Sequence, residues 1–213
     1  MKECIRKILL LQIAMHLIVC CISFAQQEER RDALKLYNAD QYAEAIDVCE
    51  KEIASNPNSL DSYCVLCWAL VANKQYMAAE ERASKARELF PYDIRLMEVL
   101  AEAKFYQGKN ADALLLFQKY VASAPETAAR YGRAYFFMGE IYIRQSKYNH
   151  ADIAFTTSVR NEPLRDYWWS RLGYAREMCK NYQTAMAAYD KALSINPSQY
   201  DATRGRERCQ SHL

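Results

Sequence analysis

All five prolines of this 213-residue chain recur on one register. They are Pro57, Pro91, Pro125, Pro163 and Pro197, and successive prolines are 34, 34, 38 and 34 residues apart. A fixed period of this length is typical of a solenoid, in which each repeat is one supersecondary unit that packs on its neighbours. Because proline lacks an N–H and restricts the residue before it, each one predicts the end of a helix. The chain is therefore predicted to fold as a stack of repeated helical units.

Small residues recur on the same register. An alanine lies twelve residues before each proline, and another small residue lies twelve residues before each alanine. The alanines are Ala45, Ala79, Ala113, Ala151 and Ala185, and the other small residues are Ala33, Cys67, Ala101, Gly139 and Gly173. Two helix axes approach closely only where side chains are short, so the spacing predicts a pair of packed helices, A and B, in each repeat. Glycine and proline number only five each, too few for the turns of a β-sandwich, and the predicted fold class is all-α.

This pattern resembles the tetratricopeptide repeat, a 34-residue pair of antiparallel helices. Its best copy is the last, which carries Trp169, Leu172, Gly173, Tyr182, Ala185, Tyr189, Ala192 and Pro197. The resemblance covers residues 26–199 and implies a right-handed superhelical α-solenoid of five helix pairs with a C-terminal capping helix. We assign the repeats to residues 26–59, 60–93, 94–131, 132–165 and 166–199, and the capping helix to residues 200–213.

Four additional residues interrupt the period between Pro125 and Pro163. We place them within residues 126–131, where the sequence Glu-Thr-Ala-Ala-Arg-Tyr has good helix propensity. The sequence therefore predicts one extra turn on the fourth helix A.

The N-terminal 25 residues have the organisation of an export signal. Basic residues at positions 2–7 precede an apolar stretch at 8–24, and Ser23 and Ala25 place small residues before a polar run. This order predicts a signal peptide of residues 1–25, cleaved after Ala25. An uncleaved membrane anchor and lipidation at Cys20 or Cys21 are the alternatives. The predicted location of the mature chain is the bacterial periplasm, or, if the segment is retained or lipidated, the membrane surface facing it.

Charge and composition exclude several classes of function. The first 25 residues hold three of the 28 basic and one of the 26 acidic residues, so 25 of each remain and the rest of the chain is neutral. A neutral body lacks the basic surface expected of a nucleic-acid binder. Beyond residue 25 the histidines are His150 and His212, and the five glycines form no phosphate-binding loop. We therefore predict no catalytic residue, no cofactor and no metal site.

The pair Cys64 and Cys67 has the spacing of a redox motif but falls in a predicted helix A, where Cys67 fills the small-residue position. Packing is the favoured interpretation. An exported chain nevertheless meets an oxidising compartment, so a disulfide that includes Cys49 stays open as an alternative.

The resemblance also implies the function. In tetratricopeptide arrays the helices A line a concave groove that holds a segment of a partner protein, which predicts a protein–protein scaffold of the bacterial envelope. A ligand-binding or transport-associated periplasmic subunit is the alternative. The predicted groove residues are Trp68, Glu98, Glu102, Phe105, Arg133, Phe136, Glu140, Arg144, Tyr167 and Tyr174. Their aromatic and mixed-charge character predicts a partner segment with apolar anchors and basic groups. Because Glu98 and Glu102 stand in the third repeat, the family's clamp for C-terminal carboxylates is not expected here.

Overall fold

A computed structural model describes residues 32–212, and every regular element in this range is an α-helix. The helices are α1 (Ala33–Asn38), α2 (Tyr42–Ser55), α3 (Leu60–Ala72), α4 (Tyr76–Leu89), α5 (Ile94–Tyr106), α6 (Asn110–Ser123), α7 (Tyr131–Arg144), α8 (Tyr148–Asn161), α9 (Asp166–Met178), α10 (Tyr182–Ile195) and α11 (Tyr200–Gln210). The odd-numbered helices α1 to α9 are the helices A, the even-numbered ones are the helices B, and α11 caps the stack. The predicted all-α solenoid of five pairs and a terminal helix is confirmed.

The turn inside each pair has the same backbone conformation in all five repeats. The second residue after each helix A adopts a left-handed φ between 57° and 76°. These residues are Asp40, Lys74, Gly108, Ser146 and Lys180. The next N–H then donates to a carbonyl five residues earlier, as from Gln75 to Leu70 at 2.8 Å. This is the 6→1 bond of a Schellman turn, which satisfies a carbonyl at the end of helix A and reverses the chain into helix B.

The turn between pairs follows the prolines. Each helix B ends two residues before its proline, from Ser55 before Pro57 to Ile195 before Pro197. The residue between them donates its N–H back into the helix, as from Asn56 to Glu52 at 2.8 Å. The prediction that the prolines end the helices B is confirmed.

Close helix contacts lie where the sequence places small residues. The alanines at the repeated position of helix B are fully buried. A Cβ added to Gly139 would lie 2.5 Å from the ring of Phe155, and one added to Gly173 would lie 2.6 Å from the ring of Tyr189. The aromatic ring of helix B therefore packs directly on the backbone of a helix A.

The predicted extra turn on the fourth helix A is wrong. Residues 126–130 form turns, closed by bonds of 2.9 Å from Ala128 N–H to the Pro125 carbonyl and from Tyr131 N–H to the Ala128 carbonyl. Helix α7 has 14 residues, against 13 in α3, α5 and α9. Helix propensities differ by only about 0.5 kcal/mol per residue, and tertiary contacts of Arg130 described below outweigh them.

The predicted signal peptide and residues 26–31 of the predicted first repeat lie outside the described residues. Helix α1 begins at Ala33 because the side chain of Asp32 accepts hydrogen bonds from the N–H groups of Leu34 and Lys35. Between Asp32 and His212, none of the helices has the length and apolar character that crossing a membrane requires.

Candidate functional site

A buried cluster of two carboxylates and two guanidinium groups lies at the centre of the surface formed by the helices A. Glu98 and Glu102 are four residues apart on α5 and therefore share one helix face, and neither is exposed to solvent. Arg130 Nη1 lies 3.5 Å from Glu98 Oε2 and 3.4 Å from Glu102 Oε2. Arg133, at the start of α7, donates to the other oxygen of Glu102. The cluster joins the third repeat to the turn that carries the four additional residues.

Burial dominates the electrostatic environment of Glu98. Burial raises the pKa of Glu98 to about 7, although attraction by the Arg130 guanidinium opposes the shift. Its Oε1 is buried without a hydrogen-bond partner. Desolvation lowers the pKa of Arg130, but attraction by Glu98 and Glu102 outweighs it, so both arginines of the cluster have a raised pKa and stay charged.

Arg130 also reaches across the groove to the first two repeats. Its Nη2 donates to the hydroxyl of Tyr37 at 3.1 Å, and its guanidinium lies 4.7 Å from the centre of the Trp68 ring. The Tyr37 and Trp68 rings are in turn 6.2 Å apart. One side chain of the insertion therefore contacts residues of the first, second and third repeats.

Two clefts lie on opposite sides of this contact. The first, of about 340 Å³, carries three carboxylates and one guanidinium, from Asp32, Glu52, Asp61 and Arg95, and includes Trp68 in its wall. The second, of about 400 Å³, carries three guanidinium groups and one carboxylate, from Arg130, Arg133, Arg165 and Glu162. The remainder of its lining is mostly aromatic: Tyr106, Ala129, Phe136, Phe137 and Trp168.

Guanidinium groups lie against aromatic rings in the second cleft. Phe136 and Trp168 stack with centroids 5.0 Å apart and planes 12° from parallel. Arg165 lies 5.6 Å from the centre of the Trp168 ring, and Arg133 lies 5.5 Å from that of Phe137. Such an arrangement can bind a group that is anionic at one end and apolar at the other.

The ten predicted groove residues fall into three classes of exposure. Arg144 and Tyr167 are exposed, and Trp68, Arg133, Phe136, Glu140 and Tyr174 are half-buried. The other three, Glu98, Glu102 and Phe105, are buried, and our placement of them as exposed groove residues is wrong. The two carboxylates can be buried because Arg130 and Arg133 form ion pairs with them. Phe105 is covered by the ring of Phe137, 4.8 Å away, and by Arg144.

The half-buried Glu140 also has an internal partner. Its two carboxylate oxygens accept from Arg171 at 2.5 and 3.1 Å, and the same guanidinium lies 5.1 Å from the centre of the Tyr174 ring. The Glu140 carboxylate is therefore already neutralised by Arg171. Sequence reasoning missed Arg130, Arg165, Trp168 and Tyr37 as site residues. The break in the 34-residue period was the signal that could have directed attention to Arg130.

Four of the five cysteines between residues 32 and 212 are buried, and Cys179 is half-buried. Burial raises the pKa of the Cys49 and Cys64 thiols to about 12 and that of Cys67 further still. None of the five cysteines between residues 32 and 212 forms a disulfide. In the same range no three histidine, cysteine or carboxylate side chains are grouped so that they could hold a metal ion.

Comparisons with known proteins point to one family. Residues 136–200 match the sequence model of the family described as tetratricopeptide repeat. Anaphase-promoting complex subunit 3 of Schizosaccharomyces pombe is 21% identical over 154 residues, which is 70% of this chain but only 22% of that subunit. This chain thus spans less than a quarter of the length of that relative.

Solved structures with a similar fold include those of MamA and YrrB. MamA 41-end from Desulfovibrio magneticus RS-1 superposes with a TM-score of 0.64 at 18% identity, over 78% of this chain and 92% of that one. YrrB, described as a TPR protein with an unusual peptide-binding site, superposes with a TM-score of 0.63 at 16% identity, over 87% of this chain and 97% of that one. At these identities the likeness concerns the fold.

Proposed function

Because this chain is a tetratricopeptide-repeat protein, we propose that it is a non-enzymatic scaffold that holds a segment of a partner protein against the helices A of its third to fifth repeats. The observation that carries the proposal is the second cleft, where stacked aromatic rings lie beside guanidinium groups on a surface that is accessible to a partner. Aromatic and arginine side chains are the residue types that dominate protein–protein binding energies. The peptide-binding site ascribed to YrrB, which has a similar fold, supports the same assignment.

The half-buried aromatics of α7 and α9 are the expected contact residues. Phe136 packs against Trp168 and lies 6.0 Å from Tyr167, so a ligand that covers Phe136 also meets the fifth repeat. Tyr174 lies about two helical turns after Tyr167 on α9. A partner segment that follows these side chains contacts two successive repeats, which is how a solenoid gains affinity from its length.

The test uses Phe136→Ala and Tyr174→Ala against the partner recovered from the native host. Each variant should lose about 2 kcal/mol of binding free energy, since truncation of a buried interface aromatic costs that much or more. The matched control is Ile153→Ala, because Ile153 is a large apolar residue of helix α8 that is 69% exposed on the other side of the pair. If Ile153→Ala abolishes binding and the groove variants do not, the helices B carry the partner and the proposal is wrong.

The alternative of a ligand-binding or transport-associated subunit called for a deep, enclosed apolar pocket. Each of the two clefts is lined by four charged side chains, so neither is an apolar pocket. This favours the scaffold over the ligand-binding subunit.

We further propose that the scaffold works in the bacterial envelope after export and removal of residues 1–25. The basic start, the apolar stretch and the small residues Ser23 and Ala25 support this proposal. The intact mass of material exported by its native host should correspond to a chain that begins at Gln26. A mass that includes residues 1–25, or one that includes acyl chains, would replace the periplasmic proposal with the membrane-anchored one.

A further inference from the structure

We infer that the second cleft takes an acidic peptide segment with an aromatic or bulky apolar side chain beside its carboxylates, and that Arg130 bounds this site on its N-terminal side. The inference rests on the proposed function and specifies the chemistry of the partner.

Most of the charged groups that line the second cleft are guanidinium groups. Arg130, Arg133 and Arg165 line it, against the single carboxylate of Glu162. Two of the predicted groove carboxylates, Glu98 and Glu102, lie in the protein interior and are already held by Arg130 and Arg133. The partner expected from the structure is therefore acidic, the opposite of the basic segment that the sequence pattern predicts.

The guanidinium group of Arg165 is the most available of the three. Its Nε lies 3.0 Å from Glu162 Oε2, but the Arg165 side chain is 63% exposed, so this pair is weak and a ligand carboxylate can join or replace it. The Arg133 side chain is 39% exposed. Two of the three arginines thus have exposed surface for an anionic ligand.

An apolar anchor of the ligand fits the same cleft. The half-buried ring of Phe136 lines the cleft and stacks on the buried ring of Trp168, which Arg165 approaches from the cleft. A ligand side chain that packs on Phe136 therefore has guanidinium groups beside it for neighbouring carboxylates. Apolar burial and charge-assisted hydrogen bonds then act on adjacent residues of one short segment.

Arg130 separates the second cleft from the first. Trp68 lines the first cleft, Arg130 lines the second, and the two side chains are in contact across the groove. The hydrogen bond from Arg130 to Tyr37 extends this wall to the first repeat. Because three carboxylates line the first cleft, an acidic segment is repelled there and is confined to the second. The four-residue insertion therefore determines both the boundary of the site and part of its charge.

A cleft of about 400 Å³ accommodates one or two side chains, which suits a peptide. A nucleic acid needs an extended row of cations that follows its phosphates, and its binding is the competing outcome of the experiment below.

The experiment measures binding of fluorescent probes to the purified protein by anisotropy at low salt. Three peptides with acetylated N-termini and amidated C-termini share a central phenylalanine, flanked on each side by two glutamates, two glutamines or two lysines. Blocked termini ensure that no terminal carboxylate contributes. The fourth probe is an oligothymidylate of eight nucleotides. We expect the glutamate peptide to bind at least tenfold more tightly than the lysine peptide and the oligothymidylate, with the glutamine peptide between them.

Arg165→Glu should weaken binding of the glutamate peptide at least tenfold and improve that of the lysine peptide. Arg204→Glu is the matched control, because Arg204 also forms an exposed i,i+3 pair with a glutamate, but on α11. This variant should change neither affinity more than twofold. Circular dichroism and thermal melting verify that both variants are folded.

The inference is overturned if the peptides bind equally, if none of them binds, if the oligothymidylate binds as tightly as the glutamate peptide, or if Arg165→Glu has no effect. The proposed function has a separate readout. Should Phe136→Ala weaken the native partner while the peptides show no charge preference, the groove still binds a partner and only the acidic specificity is wrong.

Discussion

The guanidinium of Arg130 donates a 3.1 Å hydrogen bond to the hydroxyl of Tyr37, a residue 93 positions earlier in the chain. In a solenoid most contacts join a repeat to its immediate neighbours, whereas this bond joins the turn ahead of the fourth repeat to the first. It exists because four additional residues let the chain reach over α5 before α7 begins. The same side chain neutralises the buried carboxylates and bounds the second cleft, so one residue connects stability with the shape of the site.

Replacing Arg130 should lower the free energy of unfolding more than replacing an exposed arginine does. Arg130→Ala leaves Glu98 and Glu102 buried with only Arg133 as a counter-charge, and breaking a buried ion pair costs about 3 kcal/mol. The control, Arg204→Ala, should cost less than about 0.5 kcal/mol because its pair is exposed. Urea unfolding of both variants measures the difference. Equal losses in the two proteins would mean that the cluster contributes nothing to stability.

The buried carboxylate of Glu98 should make stability depend on pH in the weakly acidic range. Burial raises its pKa from 4.5 to about 7, so the folded state favours the protonated form. Its contribution to the free energy of unfolding is fully present below about pH 4.5 and is lost as the pH rises through 7. The full loss is on the order of 3 kcal/mol for a shift of this size.

Glu98→Gln isolates this titration, because the amide mimics the protonated acid. Relative to the unmodified protein, the variant should gain stability between pH 4.5 and 7.5, as followed by urea unfolding. Glu81→Gln, at an exposed position of α4, is the control and should show no such trend. Parallel pH profiles for Glu98→Gln and the unmodified protein would contradict a raised pKa.

Gly205 should be essential for docking of the capping helix. A Cβ at this position would overlap the ring of Tyr189, which is already held against Gly173 on its other side. Gly205→Ala should therefore destabilise the protein by about 2 kcal/mol, even though alanine is the better helix former. In a Tyr189→Leu background the same change should cost nothing, since the ring that it meets is gone. A double-mutant cycle by thermal unfolding gives the coupling, and additive losses would contradict the proposed overlap.

The thiols should differ in reactivity according to their burial. Cys179 is half-buried at the end of α9, whereas Cys49, Cys64, Cys67 and Cys209 are buried. Since the thiolate is the reactive form and burial raises the pKa of these groups, iodoacetamide at pH 8 should modify Cys179 first in the folded protein. Peptide mapping by mass spectrometry locates the adduct, and Cys179→Ser should abolish the early modification. Early labelling of Cys64 or Cys67 would show that α3 opens readily.

The sequence by itself determined the helix pairs, their number and the ends of the helices B. These features depend on local rules: proline two residues past each helix B, small residues where two helices meet, and apolar side chains at helical spacing. The rules act within about 40 residues, the span of one repeat, and so they can be read from one copy and checked against the other four. For this reason the predicted fold is confirmed.

Only the tertiary structure decided which charged side chains of the groove are buried and which are exposed. Glu98 and Glu102 lie on the groove side of helix A by their spacing, and nothing in α5 indicates that they are buried. Their partner, Arg130, lies about 30 residues later in a segment with good helix propensity that forms turns instead. Pairing of charges between distant repeats has no periodic signal, because it depends on one insertion that occurs once in the chain. The packing of repeats follows from what all copies share, whereas the charge of the groove follows from the one place where a copy differs.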